Sequence, residues 1–355
     1  MEKQVIGVDI FAGAGGMSLG AELAGIKVIC AVERDKYAAE TYQENHADTQ
    51  MVNEDIYNID ELLGVDNKKI DILFGGAPCQ GFSISNRRTN NSKNPTNWLY
   101  KEFVRMLKLY NPKWFVFENV TGLLELESGC FFQNMILDFE KVGYTCSYSV
   151  LNAQDFGIPQ RRSRLFVMGS NFGKKIELES SNNYPIVSVM EAIEDLPILE
   201  NGANIDILPY YKLPESDYAK MMRENMVECS GNLVSKNSRM VLERYKYIKQ
   251  GQNWSAIPKE LMKNYKDSSQ CHTGIYYRLL EDQPSVVIGN YRKSMLIHPR
   301  QDRGLSVREA ARLQSFPDKY IFKGSIGYQQ QQIGNAVPPL LAKFVFGKIM
   351  ENYGG

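Results

Sequence analysis

The sequence predicts an α/β protein whose doubly wound sheet carries a second, smaller and irregular domain. Three observations point there. Short apolar, β-branched runs alternate with helically spaced segments over the first 170 residues, as strands joined by crossover helices do. Several runs stop at glycines or acids, where open α/β sheets bind ligands. From about residue 172 the alternation fades into a stretch rich in Tyr, Asn, Ser and Lys.

The elements follow in order. Val5 to Phe11 reads as the first strand, ending in a glycine turn, and Met17 to Ala24 as a helix with Leu19 and Leu23 four apart. Val28 to Val32, Met51 to Ile56, Ile70 to Phe74 and Trp114 to Phe117 read as further parallel strands, and Leu165 to Met168 as a later one. Trp98 to Leu109 has Phe103, Met106, Leu107 and then Tyr110 at helical spacing. Ser306 and Glu309 have capping-box spacing before an apolar helix face. Pro338-Pro339 opens a last helix with Leu341, Phe344, Val345 and Ile349 on one face. That helix is expected to complete the sheet domain, with Gly334-Asn335 beside the first glycine turn. The predicted boundaries are 1–190 plus 327–355 for the sheet domain and 191–326 for the smaller one.

With 355 residues, 43% hydrophobic and 23% charged, the chain has ordinary globular composition. Its longest apolar runs are far too short to cross a bilayer, and Asp9 interrupts any leader-like segment. A soluble, non-exported protein is expected. The six cysteines (30, 79, 130, 146, 229 and 271) contain no C-x-x-C pair, and there are three histidines. Reduced thiols and no metal site are expected. Net charge is zero but uneven. Residues 236–303 carry 13 Lys/Arg against 6 Asp/Glu, a net of +7, while residues 1–235 carry a net of −10. A basic segment on an acidic body points to a polyanionic partner.

The chemistry-bearing residues lie at the strand ends. Phe11-Ala12-Gly13-Ala14-Gly15-Gly16 lets the backbone approach a ligand. Glu33, 20 residues after Gly13, can accept hydrogen bonds from ribose hydroxyls, and Asp55 can contact an adenine or ribose. Together they describe a nucleoside-containing cofactor. Ser18 stands at the third glycine position of G-x-G-x-x-G, which counts against a nicotinamide dinucleotide. Pro78, Cys79 and Gln80 follow Gly75-Gly76-Ala77. Between Asp71 and Glu102 there is no acid, only Arg87, Arg88, Lys93 and Lys101, surroundings that favour a thiolate. Glu118 directly follows three apolar residues, where desolvation favours the protonated acid. Arg162 and Arg164 alternate, so one face of a strand would present both.

In their order along the chain, these blocks resemble the DNA (cytosine-5)-methyltransferase family of the bacterial restriction-modification type. Gln160-x-Arg162-x-Arg164, Arg303 to Glu309, Gln314 to Asp318 and Ile333 to Pro338 are similar to later family blocks. Ala77 departs from a common proline and Ala336 from a frequent serine; neither removes a reactive group. About 120 residues, roughly 176–295, match no block.

The resemblance implies a Rossmann-like, S-adenosylmethionine-dependent methyltransferase domain and a target-recognition domain, with duplex DNA held between them. It implies a cofactor site of Phe11, Ala12, Gly13, Gly15, Gly16, Glu33, Arg34, Asp55, Ile56, Pro78, Asn335 and Ala336. Cys79 is the implied nucleophile on C6 of a flipped-out cytosine; Glu118 protonates or hydrogen-bonds N3; Arg164, with Arg162, holds the base. Gln80, Ser83, Ser85, Arg87 and Arg88 would contact DNA. The basic segment adds Arg239, Arg244, Arg278, Arg292 and Lys293 as candidates. The implied setting is a monomer on DNA in the bacterial cytoplasm, with a restriction endonuclease of the same site as counterpart. Three alternatives remain at this point. One is a non-catalytic DNA-binding module descended from an enzyme, against which intact Cys79, Glu118 and Arg164 argue. Methylation of cytosine in RNA uses the same scaffold. A nicotinamide-dependent oxidoreductase explains Gly13 and Glu33 but leaves Cys79, Glu118 and the basic segment idle.

Overall fold

A computed structural model describes residues 4–62, 64–65, 70–78, 98–179, 184–263, 274–289, 291 and 295–353. The chain divides into two compact units. The first comprises residues 1–155, 163–182 and 337–355, and the second residues 156–162 and 183–336. The transitions near 182 and 336 lie within about ten residues of the expected 190 and 327, and the short stretch 156–162 belongs to the second unit.

The first unit is built on seven strands: β1 (Ile6–Ile10), β2 (Lys27–Val32), β3 (Gln50–Val52), β4 (Ile72–Gly75), β5 (Trp114–Asn119), β6 (Thr145–Asn152) and β7 (Ser163–Ser170). Their order is β3-β2-β1-β4-β5-β7-β6. The first five run parallel, whereas β7 is antiparallel to both β5 and β6. The all-parallel expectation is thus corrected at one edge. There β6 and β7 are linked by about ten residues, 153–162, fewer than the dozen or so a parallel crossover takes. The central strands are continuous apolar runs because helices cover both faces; every residue of β5 is buried. β6, at the edge, instead alternates buried and exposed positions.

Helices α1 (Gly16–Leu23), α2 (Lys36–Asn45), α3 (Tyr100–Tyr110) and α4 (Cys130–Lys141) connect the strands. Phe103 of α3, Phe115 and Phe117 of β5 and Phe139 of α4 meet edge-on or tilted at 4.8–6.1 Å between centroids. The last helix of this unit, Pro339–Glu351, starts on proline as expected and packs against α1. A Cβ at Gly20 would lie 2.4 Å from the Ala342 Cβ, so only glycine admits this crossing.

The second unit contains helices α5 (Val189–Ile193), α6 (Asp217–Arg223), α7 (Arg239–Tyr245), α8 (Val307–Leu313) and α9 (Ile326–Asn335), and a two-stranded pair, β8 (Leu208–Pro209) with β9 (Glu228–Cys229). The helix of the first unit that follows is α10. Both bonds of the expected capping box form: Glu309 N donates to Ser306 Oγ at 3.1 Å, and Ser306 N to Glu309 Oε2 at 2.8 Å. Among the described residues, no helix is long and apolar enough to cross a membrane, and no His/Cys/Asp/Glu cluster could hold a metal ion.

Candidate active site

The carboxyl ends of β1, β2, β4 and β5 carry the candidate residues of the first unit. After β1 the chain turns sharply, with φ of 66° at Phe11, 55° at Gly13 and 86° at Gly15. Gly15 then leads into α1. Glu33, just past β2, binds this turn through Oε2, which accepts Gly13 N–H at 2.8 Å, while Oε1 accepts Asp35 N–H at 2.7 Å. Burial pushes the Glu33 carboxyl up, and the Asp35 and Gly13 N–H groups oppose that shift. The Arg34 backbone bonds the carboxylate as well, which leaves one of about four lone-pair sites for a ligand hydroxyl.

Asp55 lies beyond β3, which ends at Val52, not at 56 as expected. Its Oδ1 accepts Tyr57 N–H at 3.2 Å and opens a 3₁₀ turn at Ile56; its Oδ2 pairs with exposed Arg34 at 3.1 Å. Asn53, not singled out from sequence, donates to the carbonyls of Glu33 and Arg34 at 2.8 and 3.1 Å. It thereby ties the Glu33 loop to the Asp55 loop. Its only sequence signal is its position just past a strand end.

At the end of β5, Glu118 is 9% exposed. Its Oε1 lies 3.0 Å from Nε of Arg164, the second residue of β7. The pairing of β5 with β7 brings the two together, because Glu118 stands opposite Phe166. Burial pulls the Arg164 guanidinium below its ordinary value, and the Glu118 charge opposes this. β4 runs alongside in the same direction, with Gly75 opposite Phe117. It continues through Gly76 and Ala77, whose carbonyl accepts from Asn119 Nδ2 at 3.4 Å, to exposed Pro78. Cys79, Gln80, Ser83, Ser85, Arg87 and Arg88 lie outside the described residues, as do Arg292 and Lys293.

Arg162 does not share a face with Arg164. β7 begins at Ser163, so Arg162 precedes the strand and lies in the second unit. It is fully buried and donates to the carbonyls of Ile288, Gly334 and Ala336 at 2.9–3.1 Å. Beside it, Gln160 donates to Leu313 O and Gln314 Oε1 and accepts Ile288 N–H. This pair staples distant loops, which corrects the expectation of a base-holding Arg162. Of the other cofactor candidates, Asn335 ends α9 exposed and Ala336 caps it.

Arg244 and Arg278, expected on a DNA-facing surface, are 2% and 6% exposed. Arg244 donates to Leu261 O and Tyr276 Oη. Arg278 donates to the carbonyls of Ile248, Tyr245, His298 and Gln301 and pairs with Asp302. Their role is internal support, and part of the segment's formal charge is therefore not on its surface. Arg239, the first residue of α7, is exposed.

A sheet of this order, a glycine turn tethered by an acid, and a buried Glu–Arg pair at the neighbouring strand end define an α/β methyltransferase. The family model described as C-5 cytosine-specific DNA methylase matches residues 6–351, and the chain belongs to that family. It is 37% identical to the Type II methyltransferase M1.HphI of Haemophilus parahaemolyticus over 97% of this chain and 86% of that protein. Similarity to the Type II methyltransferase M.DdeI of Desulfomicrobium norvegicum is 34% identity over 96% of this chain and 88% of that protein. In fold it resembles a crystal structure of a prophage-encoded DNA modification methyltransferase from E. coli. That likeness has a TM-score of 0.78 at 24% identity and covers 99% of this chain and 100% of that one. The protein is a DNA (cytosine-5)-methyltransferase, and the oxidoreductase and RNA alternatives give way to that assignment.

Proposed function

We propose that S-adenosylmethionine is the methyl donor, held at the Phe11–Gly16 turn, and that Cys79, Glu118 and Arg164 act on a cytosine flipped out of duplex DNA. The buried Glu118–Arg164 pair, beside the strand that leads to Pro78-Cys79, is the observation that carries this reading. The turn suits a nucleoside-containing donor. Its positive φ values open the backbone, and a Cβ built on Gly13 would meet nothing within 4 Å. Glu33 and Asp55 supply acceptors, with Ala12, Gly15, Gly16, Arg34, Ile56, Pro78, Asn335 and Ala336 as further candidates. When bound, the donor supplies a methyl group on a sulfonium.

The protein's own residues do the rest. The Cys79 thiolate adds to C6, which makes C5 nucleophilic. Glu118 holds the proton at N3 and so relieves charge on the ring. Arg164 fixes the Glu118 carboxyl and helps hold the base. After C5 is methylated, loss of its proton and departure of the thiolate restore the aromatic ring. The second unit reads the target sequence. Arg239, Arg292 and Lys293 of that unit, with Gln80, Ser83, Ser85, Arg87 and Arg88 of the first, are the DNA-contact candidates. The working form in this reading is a monomer on DNA in the bacterial cytoplasm, and the relatives named as Type II methyltransferases support a matching endonuclease of the same site.

The test is transfer of tritium from labelled S-adenosylmethionine to duplex DNA. Cys79→Ser should abolish transfer, since an alcohol ionises far less than a thiol, while DNA binding persists. A duplex with 5-fluorocytosine at the target should trap a covalent adduct with the unaltered protein. Turnover near wild type in Cys79→Ser would overturn the assignment.

A further inference from the structure

Two adjacent glycines end β4, and they are glycine for different reasons. Gly75 has φ of +156°, and a Cβ there would fall 1.7 Å from Ile10 O, so the backbone itself demands glycine. Gly76 is free of that demand, because its φ lies outside the left-handed range. What excludes a side chain at Gly76 is Glu118. A Cβ would lie 2.6 Å from Glu118 Oε2, 3.5 Å from Glu118 O and 3.7 Å from its carboxyl carbon. The two residues meet because β4 and β5 run parallel, with Gly75 opposite Phe117. The carboxyl is also restrained from the other side, where Oε1 binds Arg164 Nε at 3.0 Å.

We infer that Gly76 is a positioning residue of the methyl-transfer reaction: its missing side chain is the space in which the Glu118 carboxyl rests. An alanine there is compatible with the backbone. Relief must come from the far end of the Glu118 side chain, the most movable atom in the contact. To reach an ordinary 3.4 Å contact, Oε2 has to retreat by about 0.8 Å. That displacement harms folding little and chemistry much, since misplacing a reacting group by about 1 Å can slow a reaction roughly 100-fold. Gly76 also lies three residues before Cys79 in the chain. One contact therefore sets the acid against the strand that carries the nucleophile. The inference rests on the reading of Glu118 as the group that acts on the cytosine ring.

The experiment is a double-mutant cycle on the full-length protein with Gly76→Ala, Glu118→Ala and the pair. Single-turnover tritium transfer, affinities for S-adenosylmethionine and target duplex, and Tm are measured. Gly76→Ala should slow transfer between about 10- and 100-fold, with both affinities within about twofold of wild type. Adding Gly76→Ala to Glu118→Ala should slow transfer no further, and any drop in Tm from Gly76→Ala should vanish in that background. If Glu118→Ala is slow but Gly76→Ala transfers like wild type, the inference fails and the Glu118 reading stands. If Glu118→Ala transfers like wild type, both fail together. Additive losses in transfer or in Tm would show Gly76 acting through another group and overturn the inference. Should Gly76→Ala alone not fold, recovery of a folded pair with Glu118→Ala supports the contact, and a pair that stays unfolded overturns it.

Discussion

The sheet of the first unit and the loops of the second satisfy their buried backbone with different donors. In the first unit, strand N–H groups meet strand carbonyls along a seven-stranded ladder. In the second, the only named strands among the described residues are two of two residues each, so many loop carbonyls need other partners. Arginine supplies them. A guanidinium carries five N–H donors in a rigid fork. Arg278 reaches four carbonyls, and Arg308 reaches those of Ser230, Pro317 and Tyr320. The charges are matched inside: Arg312 lies between Asp195 and Asp318, and Arg303 grips both oxygens of Glu309. A cation in a loop-rich stretch can therefore be a scaffold member and add nothing to the surface field.

This contrast can be broken by substitution, and the largest effect is expected at Arg312. Burial works against its charge, but Asp318 and Asp195 hold it well above the ordinary arginine range. Arg312→Ala removes the closest cation from two buried carboxylates, leaving Asp195 with Arg223 at 3.7 Å and Asp318 with Arg308 at 3.9 Å and the Tyr210 hydroxyl, and should cost about 3–5 kcal/mol in chemical denaturation. A loss below about 1 kcal/mol would mean the pair is not the scaffold described. Acid comes next. Burial lowers His298 to about 4, and Glu309, despite its own burial, is brought down to about 2 mainly by Arg303. In the window between about 6.5 and 4 the unfolded chain binds a proton that native His298 refuses. Between about 4.5 and 2 the same holds for Glu309. Both make stability fall as pH falls, together by about 7 kcal/mol at most. Denaturation midpoints that stay flat from pH 7 to 3 would contradict this.

Arg244→Met keeps the bulk but strips the donors from Leu261 O and Tyr276, and should cost about 1–3 kcal/mol. The matching small change in the sheet is Ile72→Val in fully buried β4. It removes one methyl group from a ladder that stays intact and should cost about 0.5–1.5 kcal/mol. Were Ile72→Val to exceed Arg244→Met, polar satisfaction would not be what distinguishes the units.

The same contrast explains what could be read from the sequence. β1, β2, β4 and β5 announce themselves because a buried parallel strand is mostly apolar, β1 despite its buried Asp9. The turn after β1, Glu33 and Glu118 stand out because glycine or charge at the end of such a run is unusual. β6 was missed although Cys146, Tyr148 and Val150 alternate with Ser147 and Ser149. Its half-exposed face dilutes hydrophobicity, and its neighbour β7 follows a pairing direction that local sequence does not encode. Arg162, Arg244 and Arg278 were read as contacts because sequence shows their charge but not their surroundings. Their partners lie as far as 174 residues away. Gly76 was visible as a letter in a motif, but its reason lies on the adjacent strand.

The crossing of α10 over α1 has a consequence for how the chain matures during synthesis. Gly20 and Ala342 touch across more than 300 residues of sequence, so α1 emerges from the ribosome long before its cover exists. At typical elongation of about 5–20 residues per second, that interval is on the order of tens of seconds. Throughout it, the face of α1 that will hold Ala342 stays bare, and the turn that α1 extends from lacks its final support. The first unit to begin is therefore the last to be finished, and the turn after β1 gains its final support only after the whole second unit has been made.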